Sequence, residues 1–202
     1  MKKQPLFPKQ KLYWPDNMEY FLTTSTYLHY PYFKEDNQKQ IVLNKIKEVK
    51  QVLSVPVLAY SIAINHFHLK FFLELGKNIT KIKNILHSGI SREYRKRYKV
   101  PYEKFWQQAR IFYIKDDEAS WKISGYINGN LLKHREESTF EELKNNQFTS
   151  FWNFRKVYGD KEARRVIYNV IDISESAEGE IDINSLNKLV ISKKPEPLPR
   201  AG

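Results

Sequence analysis

The sequence contains no cysteine, which excludes a disulfide framework, a zinc ribbon and a thiol nucleophile. It also has no apolar run near the ~18–20 residues that a membrane-spanning helix requires. The first five residues are basic, but no apolar stretch with a small-residue cleavage site follows them, so no signal peptide is expected. These absences predict a cytoplasmic protein that has no membrane partner.

The composition is that of a folded, basic domain. Of the 202 residues, 41% are hydrophobic and 14% are aromatic, which excludes intrinsic disorder as the main state because this apolar content can build a core. The chain has 34 Lys and Arg against 23 Asp and Glu, a net charge of +11. Its length fits one domain with small additions.

The positive charge is concentrated in the middle of the chain. Residues 77–115 contain eleven Lys and Arg and two Glu, a net charge of +9, with aromatic side chains between them. Such a segment suits a phosphate backbone and stacked bases, although a solubilising surface explains it equally well. The candidate nucleic-acid contacts are Lys81, Arg92, Arg95, Lys96, Arg97, Lys99, Arg110 and Arg155.

Hydrophobic periodicity predicts an ordered series of strands and helices. Strand patterns fall at about residues 20–28, 57–64, 66–75 and 105–115. Helical patterns fall at about residues 35–53, 79–98 and 116–134. The first six elements follow the order strand, helix, strand, strand, helix, strand, which is the βαββαβ pattern of an α+β, ferredoxin-like domain with an antiparallel sheet.

We therefore divide the chain into four parts. Residues 1–19 form an N-terminal arm that is rich in Lys, Pro and aromatic side chains, and residues 20–135 form the core. Residues 136–170 form a basic and aromatic extension with extra C-terminal helices, of which one is expected near residues 160–169. Residues 171–202 are expected to form a loosely structured tail.

The third strand separates apolar from polar side chains. Strand side chains alternate between faces, so Phe67 and Leu69 point towards the crossover helices while His66, His68 and Lys70 point the other way. Two imidazoles on one strand face can ligate one metal ion. The pair could also be two half-exposed structural histidines. Its separation from the apolar face favours the metal site.

The last helix of the core carries a second candidate. Tyr126 and Asn130 are four positions apart and share a helix face, while Ile123, Ile127 and Leu131 form an adjacent apolar stripe. A tyrosine hydroxyl can act as a covalent nucleophile when a metal or base activates it. A tyrosine at the border of a buried stripe is more often a packing residue, and the helix position alone favours packing.

Three nearby residues receive simpler interpretations. His134 lies two helical turns beyond Tyr126 and could face the same cleft, although the sequence favours a solvated surface role for it. Asn65 precedes the histidine strand, where it could contact the site, although a role in the turn is the stronger expectation. Gly129 is expected to weaken its helix by ~1 kcal/mol relative to alanine.

Three motifs in this order resemble those of the single-tyrosine HUH transposases, especially the REP-associated tyrosine transposases. The motifs are Asn65-His66-Phe67-His68-Leu69, Tyr126-Ile127-Asn128-Gly129-Asn130 and Thr149-Ser150-Phe151-Trp152-Asn153-Phe154. Each is modest alone, but their order within a βαββαβ pattern is considerably more specific. The resemblance covers about residues 20–159.

The resemblance implies a metal-dependent endonuclease and strand transferase that acts on single-stranded DNA, with a hairpin as the expected substrate. His66 and His68 would hold a Mg²⁺ or Mn²⁺ ion, and Asn130 would be the third ligand. Tyr126 would attack phosphorus to form a 5′-phosphotyrosine and leave a free 3′-hydroxyl. The resemblance favours a monomer, while a dimer that exchanges its tyrosine helices stays open.

The sequence also departs from the family pattern. Leu131 stands where these transposases usually have proline, and Leu132-Lys133-His134 replaces the usual small apolar ending. An alternative interpretation is therefore a catalytically inactive, domesticated nucleic-acid-binding protein on the same fold. An unrelated ferredoxin-like protein, with RNA or no ligand, is a third hypothesis.

Overall fold

The computed structural model describes residues 14–171, in which four strands form one antiparallel sheet. The strands are β1 (Met18–Ser25), β2 (Val57–Ile62), β3 (His66–Leu73) and β4 (Arg110–Tyr113). Their order across the sheet is β2-β3-β1-β4, and every neighbouring pair is antiparallel. The predicted α+β fold with a βαββαβ core is confirmed.

All four strands end two or three residues before their sequence patterns predict, and β4 also begins five residues late. β1 ends at Ser25 because a 3₁₀ turn (Tyr27–His29) leads the chain away from the sheet. The predicted strand at 105–115 is reduced to β4 because the side chains of Phe105 and Trp106 enter the core. Only an isolated bridge between Thr26 and Trp106 continues the pairing there.

One face of the sheet is covered by helices that come before β4. They are α1 (Asp36–Val52), α2 (Ile79–Lys83), a π-helical turn (Asn84–Ser88) and α3 (Gly89–Arg97). The predicted helix at 79–98 is therefore present, with a π-helical turn at its centre. This layer buries apolar side chains that include Phe67, Leu69 and Phe71 of β3, Val42 and Ile46 of α1, and Ile82, Leu86 and Ile90.

The other face is covered by helices that follow β4. They are α4 (Asp117–Lys133), α5 (Phe140–Asn145), α6 (Phe151–Tyr158) and α7 (Asp160–Val170). The Asp116 carboxylate caps α4 by accepting a hydrogen bond from the Ala119 backbone N–H at 2.8 Å. This second core includes Phe21, Ala59, Trp121, Ile127, Leu131, Phe151, Val166 and Ile167.

The predicted C-terminal helix at 160–169 is confirmed as α7. Most of the predicted N-terminal arm and all but the first residue of the predicted tail lie outside the described residues, and the domain boundaries remain predictions. None of the helices within residues 14–171 is long and apolar enough to cross a membrane.

Two glycines allow α4 to approach α7 closely. A Cβ atom added at Gly125 would lie 2.4 Å from Cγ1 of Val166, and one added at Gly129 would lie 2.6 Å from Cγ2 of Ile167. Both neighbours are β-branched, so neither can rotate away easily. Glycine lowers the helix propensity at these two positions, but it lets α4 and α7 pack closely. This close packing explains why α4 contains glycines in its interior.

Substituting Gly129 with alanine tests this close approach. Although alanine is the better helix former, we expect Gly129→Ala to lower the free energy of unfolding by about 1–3 kcal/mol, since the new methyl group overpacks the α4–α7 contact. Urea denaturation measures the loss. In the Gly129→Ala/Ile167→Ala double variant, the total loss should be smaller than the sum of the two single losses. Full stability of the single variant would contradict the account.

Candidate active site

His66 and His68 lie on the sheet face that α4 covers, opposite Phe67 and Leu69 as predicted. Their ring centroids are 5.0 Å apart. His66 is 7% exposed and His68 is fully buried. Because β3 pairs with strands on both sides, its backbone fixes the two imidazoles relative to each other.

Both ring nitrogens of His66 face an amide oxygen. Nδ1 lies 2.7 Å from Oδ1 of Asn65, and Nε2 lies 3.0 Å from Oδ1 of Asn130. A neutral imidazole has one N–H and can donate to only one of them. A charged ring, a rotated amide or a cation between Nε2 and the Asn130 oxygen satisfies both contacts.

The residues at this point fit a divalent cation. Adjacent ligands of an octahedral ion, each bound at ~2.0–2.1 Å, lie about 3 Å apart, which matches the 3.0 Å between His66 Nε2 and Asn130 Oδ1. Nδ2 of Asn130 is buried and has no hydrogen-bond partner among residues 14–171. In the same part of the chain, no three His, Asp or Glu side chains form a metal-binding group, so Asn130 is needed as a donor beside His66 and His68.

Tyr126 lies on the same face of α4 as Asn130, and its ring packs against His68. The two ring centroids are 5.2 Å apart in an edge-on arrangement, and Nζ of Lys133 lies 5.2 Å from the Tyr126 centroid. Phe21 packs on another edge of the tyrosine at 6.5 Å. Tyr126 is 1% exposed, more deeply buried than its predicted border position. A phosphate can reach its hydroxyl only if some of the side chains that cover it move.

Two residues with weaker sequence signals also contact His66. The His134 ring centroid lies 4.6 Å from that of His66, and its side chain is exposed, as the sequence favoured. Its position four residues after Asn130 was the signal that could have placed it here. Asn65 contacts His66 through its amide, so its role extends beyond the expected turn.

Glu136 holds the turn before β3 in place, and no sequence pattern indicated it. Its Oε1 accepts a hydrogen bond from the Ile64 backbone N–H at 2.8 Å, and its Oε2 pairs with Nζ of Lys39 at 2.7 Å. The side chains of Lys39 and Glu136 are only 9% and 11% exposed. This carboxylate therefore ties the segment after α4 both to α1 and to the turn that leads into His66.

The third motif has a structural role beside α4. The Ser150 hydroxyl donates to Oδ1 of Asn128 at 2.8 Å and accepts from the Tyr60 backbone N–H at 2.9 Å. Thr149 forms an isolated bridge with Ser61 at the β2 edge. The motif thus links the edge of the sheet to the helix that carries Tyr126.

The basic residues are not gathered around this cluster. Most of the predicted nucleic-acid contacts lie on α2 and α3, in the layer across the sheet from His66, and their side chains are exposed. Arg97 pairs with Glu93, and Arg155 pairs with Asp160 at 2.9 Å. Their contact with nucleic acid remains a prediction.

Two titratable side chains in the layer of α1, α2 and α3 are neutral at neutral pH. Burial, with a smaller effect of Lys83, lowers the pKa of His87 to about 4. Burial, with smaller effects of neighbouring tyrosines, raises the pKa of Tyr94 to about 12. His87 stacks on Trp106 with ring centroids 5.2 Å apart. At neutral pH these groups pack in the core, and the charge of this layer comes from lysine and arginine.

Removing the Glu136 carboxylate tests its hold on the turn. We expect Glu136→Ala to lower the free energy of unfolding by about 3 kcal/mol, because it leaves Lys39 and the Ile64 N–H without their acceptor. Urea denaturation measures the change. The matched control is Glu141→Ala, which removes an exposed carboxylate paired with Lys144 and should leave the urea midpoint near that of the wild type. Equal midpoints for the two variants would contradict this role.

Comparisons with known proteins place the chain among transposases. A family model described as "Transposase IS200 like" matches residues 16–130, more than half of the chain, and this span contains both histidines, Tyr126 and Asn130. No curated protein matches the sequence.

Two solved structures align with this chain. A REP-associated tyrosine transposase bound to a REP hairpin aligns with a TM-score of 0.61 and 16% identity, covering 86% of this chain and 98% of the other. A candidate transposase from Deinococcus radiodurans aligns with a TM-score of 0.42 and 16% identity, covering 63% and 95% of the two chains. The first alignment confirms the fold.

Proposed function

Since the chain belongs to the IS200-like transposase family, we propose that it is a metal-dependent endonuclease and strand transferase that acts on single-stranded DNA through Tyr126. The observation that carries this proposal is the meeting of two distant motifs at one point. His66 and His68 of β3 contact Asn130 and Tyr126 of α4 in a buried cluster. Packing alone does not require two imidazoles and an amide to meet at one buried point between β3 and α4.

In the proposed reaction, the Tyr126 oxygen attacks the phosphorus of a DNA phosphodiester. The bond between phosphorus and the 3′-oxygen of the preceding nucleotide breaks, and a 5′-phosphotyrosine forms. The phenolic proton is lost, and the departing 3′-oxygen gains a proton to become a hydroxyl. A second 3′-hydroxyl reverses these steps and restores Tyr126. One phosphodiester is exchanged for another, so no nucleotide cofactor is needed.

His66, His68 and Asn130 are the proposed ligands of a divalent cation. A bound Mg²⁺ or Mn²⁺ ion would offset the negative charge that builds on the phosphate oxygens during attack. Two imidazole ligands favour ions softer than Mg²⁺, which makes Mn²⁺ the better probe. In this interpretation Asn65 accepts the Nδ1–H of His66 and keeps the Nε2 lone pair directed at the ion.

Lys133 is the proposed electrostatic partner of the nucleophile. Its ammonium lies 5.2 Å from the Tyr126 ring centroid. The lysine therefore keeps a positive charge beside the phenol, where it would also attract the phosphate of a DNA strand.

Hairpin DNA is the proposed substrate, and a monomer is the proposed active form. The REP-associated transposase with this fold is bound to a REP hairpin, and the net charge of +11 on this chain suits a polyanion. All four site residues come from one chain and already meet within it, which supports a tyrosine acting in cis.

Covalent trapping tests the nucleophile. Wild-type protein with labelled hairpin oligonucleotides and Mn²⁺ should give a protein–DNA band on a denaturing gel, and chelator should remove it. Tyr126→Phe should lose the band while retaining DNA binding, because only the attacking oxygen is gone. Tyr94→Phe, a buried tyrosine in the other layer, is the matched control and should keep the band.

The same experiment addresses a second candidate function. The burial of Tyr126 favours a protein that binds DNA on this fold without cutting it. Salt-sensitive binding with no adduct in either form would support that binder and contradict the nuclease. An adduct that survives in Tyr126→Phe would contradict the assigned nucleophile.

Calorimetric titration with Mn²⁺ tests the proposed ligands without relying on activity. His66→Ala and Asn130→Ala should each lose measurable Mn²⁺ binding, and Asn65→Ala should weaken it by about 10–100-fold through the misplaced imidazole. His87→Gln, in the other layer, should bind like the wild type. Equal Mn²⁺ affinity in all variants would contradict the metal site.

A further inference from the structure

The chain between β1 and α1 has an unusual conformation beside the site. Leu28 and His29 are consecutive non-glycine residues with φ of 53°, in the left-handed region that side chains disfavour. The Thr26 hydroxyl fixes the turn by donating to the Tyr30 carbonyl at 2.7 Å. Strain of this kind persists where the surrounding structure enforces it and is concentrated at functional sites.

This turn presents tyrosines that the apolar core does not bury. The Tyr102 ring centroid lies 5.6 Å from those of Tyr27 and Tyr30. Nζ of Lys104 lies 5.0 Å from the Tyr27 centroid. Tyr30 is 39% exposed, and Tyr27 and Tyr102 are half-buried. We name Tyr27, Tyr30, Tyr102 and Lys104 the aromatic shelf.

The aromatic shelf is joined to the proposed metal site through a single side chain. Asn65 Nδ2 donates to the His29 carbonyl at 3.2 Å, and Asn65 Oδ1 contacts Nδ1 of His66 at 2.7 Å. The backbone N–H of Thr26 also donates to the Asn65 carbonyl at 2.8 Å. The position of the shelf is therefore coupled directly to that of the histidine.

Positive charge reaches the shelf from the end of α3. The Arg95 guanidinium donates to the Glu103 carbonyl at 2.5 Å and more weakly to that of Tyr102. The shelf adjoins a hollow lined by Tyr27, Tyr102, Glu103 and Lys104. Glu103 brings one carboxylate to this surface, against the two cations Arg95 and Lys104. The result is an aromatic surface bordered mainly by cations.

We propose that the aromatic shelf stacks an unpaired base of the DNA strand whose phosphate lies at His66. This inference rests on the proposed function, because it requires single-stranded DNA at the metal site. Tyrosine faces stack on bases of any sequence, and neighbouring lysines bind the backbone. Bases within a duplex are already stacked on both faces, so the shelf selects a single-stranded segment beside the hairpin.

Two matched hairpin oligonucleotides test the shelf. One carries thymidines in its single-stranded flank, and the other carries abasic nucleotides with the same phosphates. Wild-type protein should bind the thymidine flank roughly 5- to 150-fold more tightly, the range expected for one stacked base. Tyr30→Leu, which keeps apolar volume without the ring, should bind both hairpins with the same weak affinity.

Matched variants separate stacking from folding and from charge. Tyr30→Phe keeps an aromatic face and should retain the preference for the thymidine flank. Tyr168→Ala removes a tyrosine on α7 that is more exposed than Tyr30, 64% against 39%, and should behave like the wild type. Thermal melting of Tyr30→Leu should match the wild type, since its side chain is partly exposed. Tyr102→Leu provides a second, independent removal of a shelf ring.

A photochemical experiment locates the contact. With 5-iodouracil in the flank, irradiation should cross-link wild-type protein through a peptide that contains Tyr27, Tyr30 or Tyr102. If Tyr30→Leu and Tyr102→Leu both keep the wild-type preference and the cross-link maps elsewhere, the inference is overturned while the proposed function stands. A shelf-dependent preference in a protein that forms no Tyr126 adduct would support the shelf and overturn the nuclease. Failure of the wild type to bind any single strand would overturn both.

Discussion

The site depends on the close docking of α4 between the sheet and α7. Gly125 and Gly129 leave no room for a Cβ atom against Val166 and Ile167, so the helix lies as near to α7 as its backbone allows. The adjacent side of the same helix brings Asn130 to 3.0 Å from His66 and the Tyr126 ring against His68. A helix displaced by even one methyl group would separate donors whose spacing suits a single ion.

One face of the sheet packs against a hydrophobic core and the other carries the site, because strand side chains alternate between faces. The face of β3 that carries Phe67 and Leu69 packs against the layer of α1, α2 and α3, and the face with His66 and His68 meets α4. The alternation of side chains along β3 follows from the two-residue repeat of a strand. The shared face of Tyr126 and Asn130 follows from their four-residue spacing on a helix. For that reason the fold, and the face on which each of these residues lies, could be predicted from the sequence.

Other features depend on contacts between distant segments and left no local pattern. Glu136 reaches the turn before β3 across more than seventy residues, and the burial of Tyr126 depends on Phe21 of β1. The predicted fourth strand is shortened because Phe105 and Trp106 enter the core. Tertiary packing overrides the strand propensity of these residues. The basic stretch was visible in composition, but only the three-dimensional order of the layers shows that α2 and α3, which carry most of its charge, lie across the sheet from the histidines.

The central claim is that Tyr126 becomes covalently attached to DNA, and mass spectrometry of a digested protein–DNA adduct tests it most directly. Trypsin cleaves after Lys122 and Lys133, and the peptide of residues 123–133 contains Tyr126 as its one tyrosine. After nuclease trimming, the account predicts a nucleotide remnant on that tyrosine, linked through its 5′-phosphate. A remnant on any other residue, or DNA cleaved with this peptide unmodified throughout, would contradict the account.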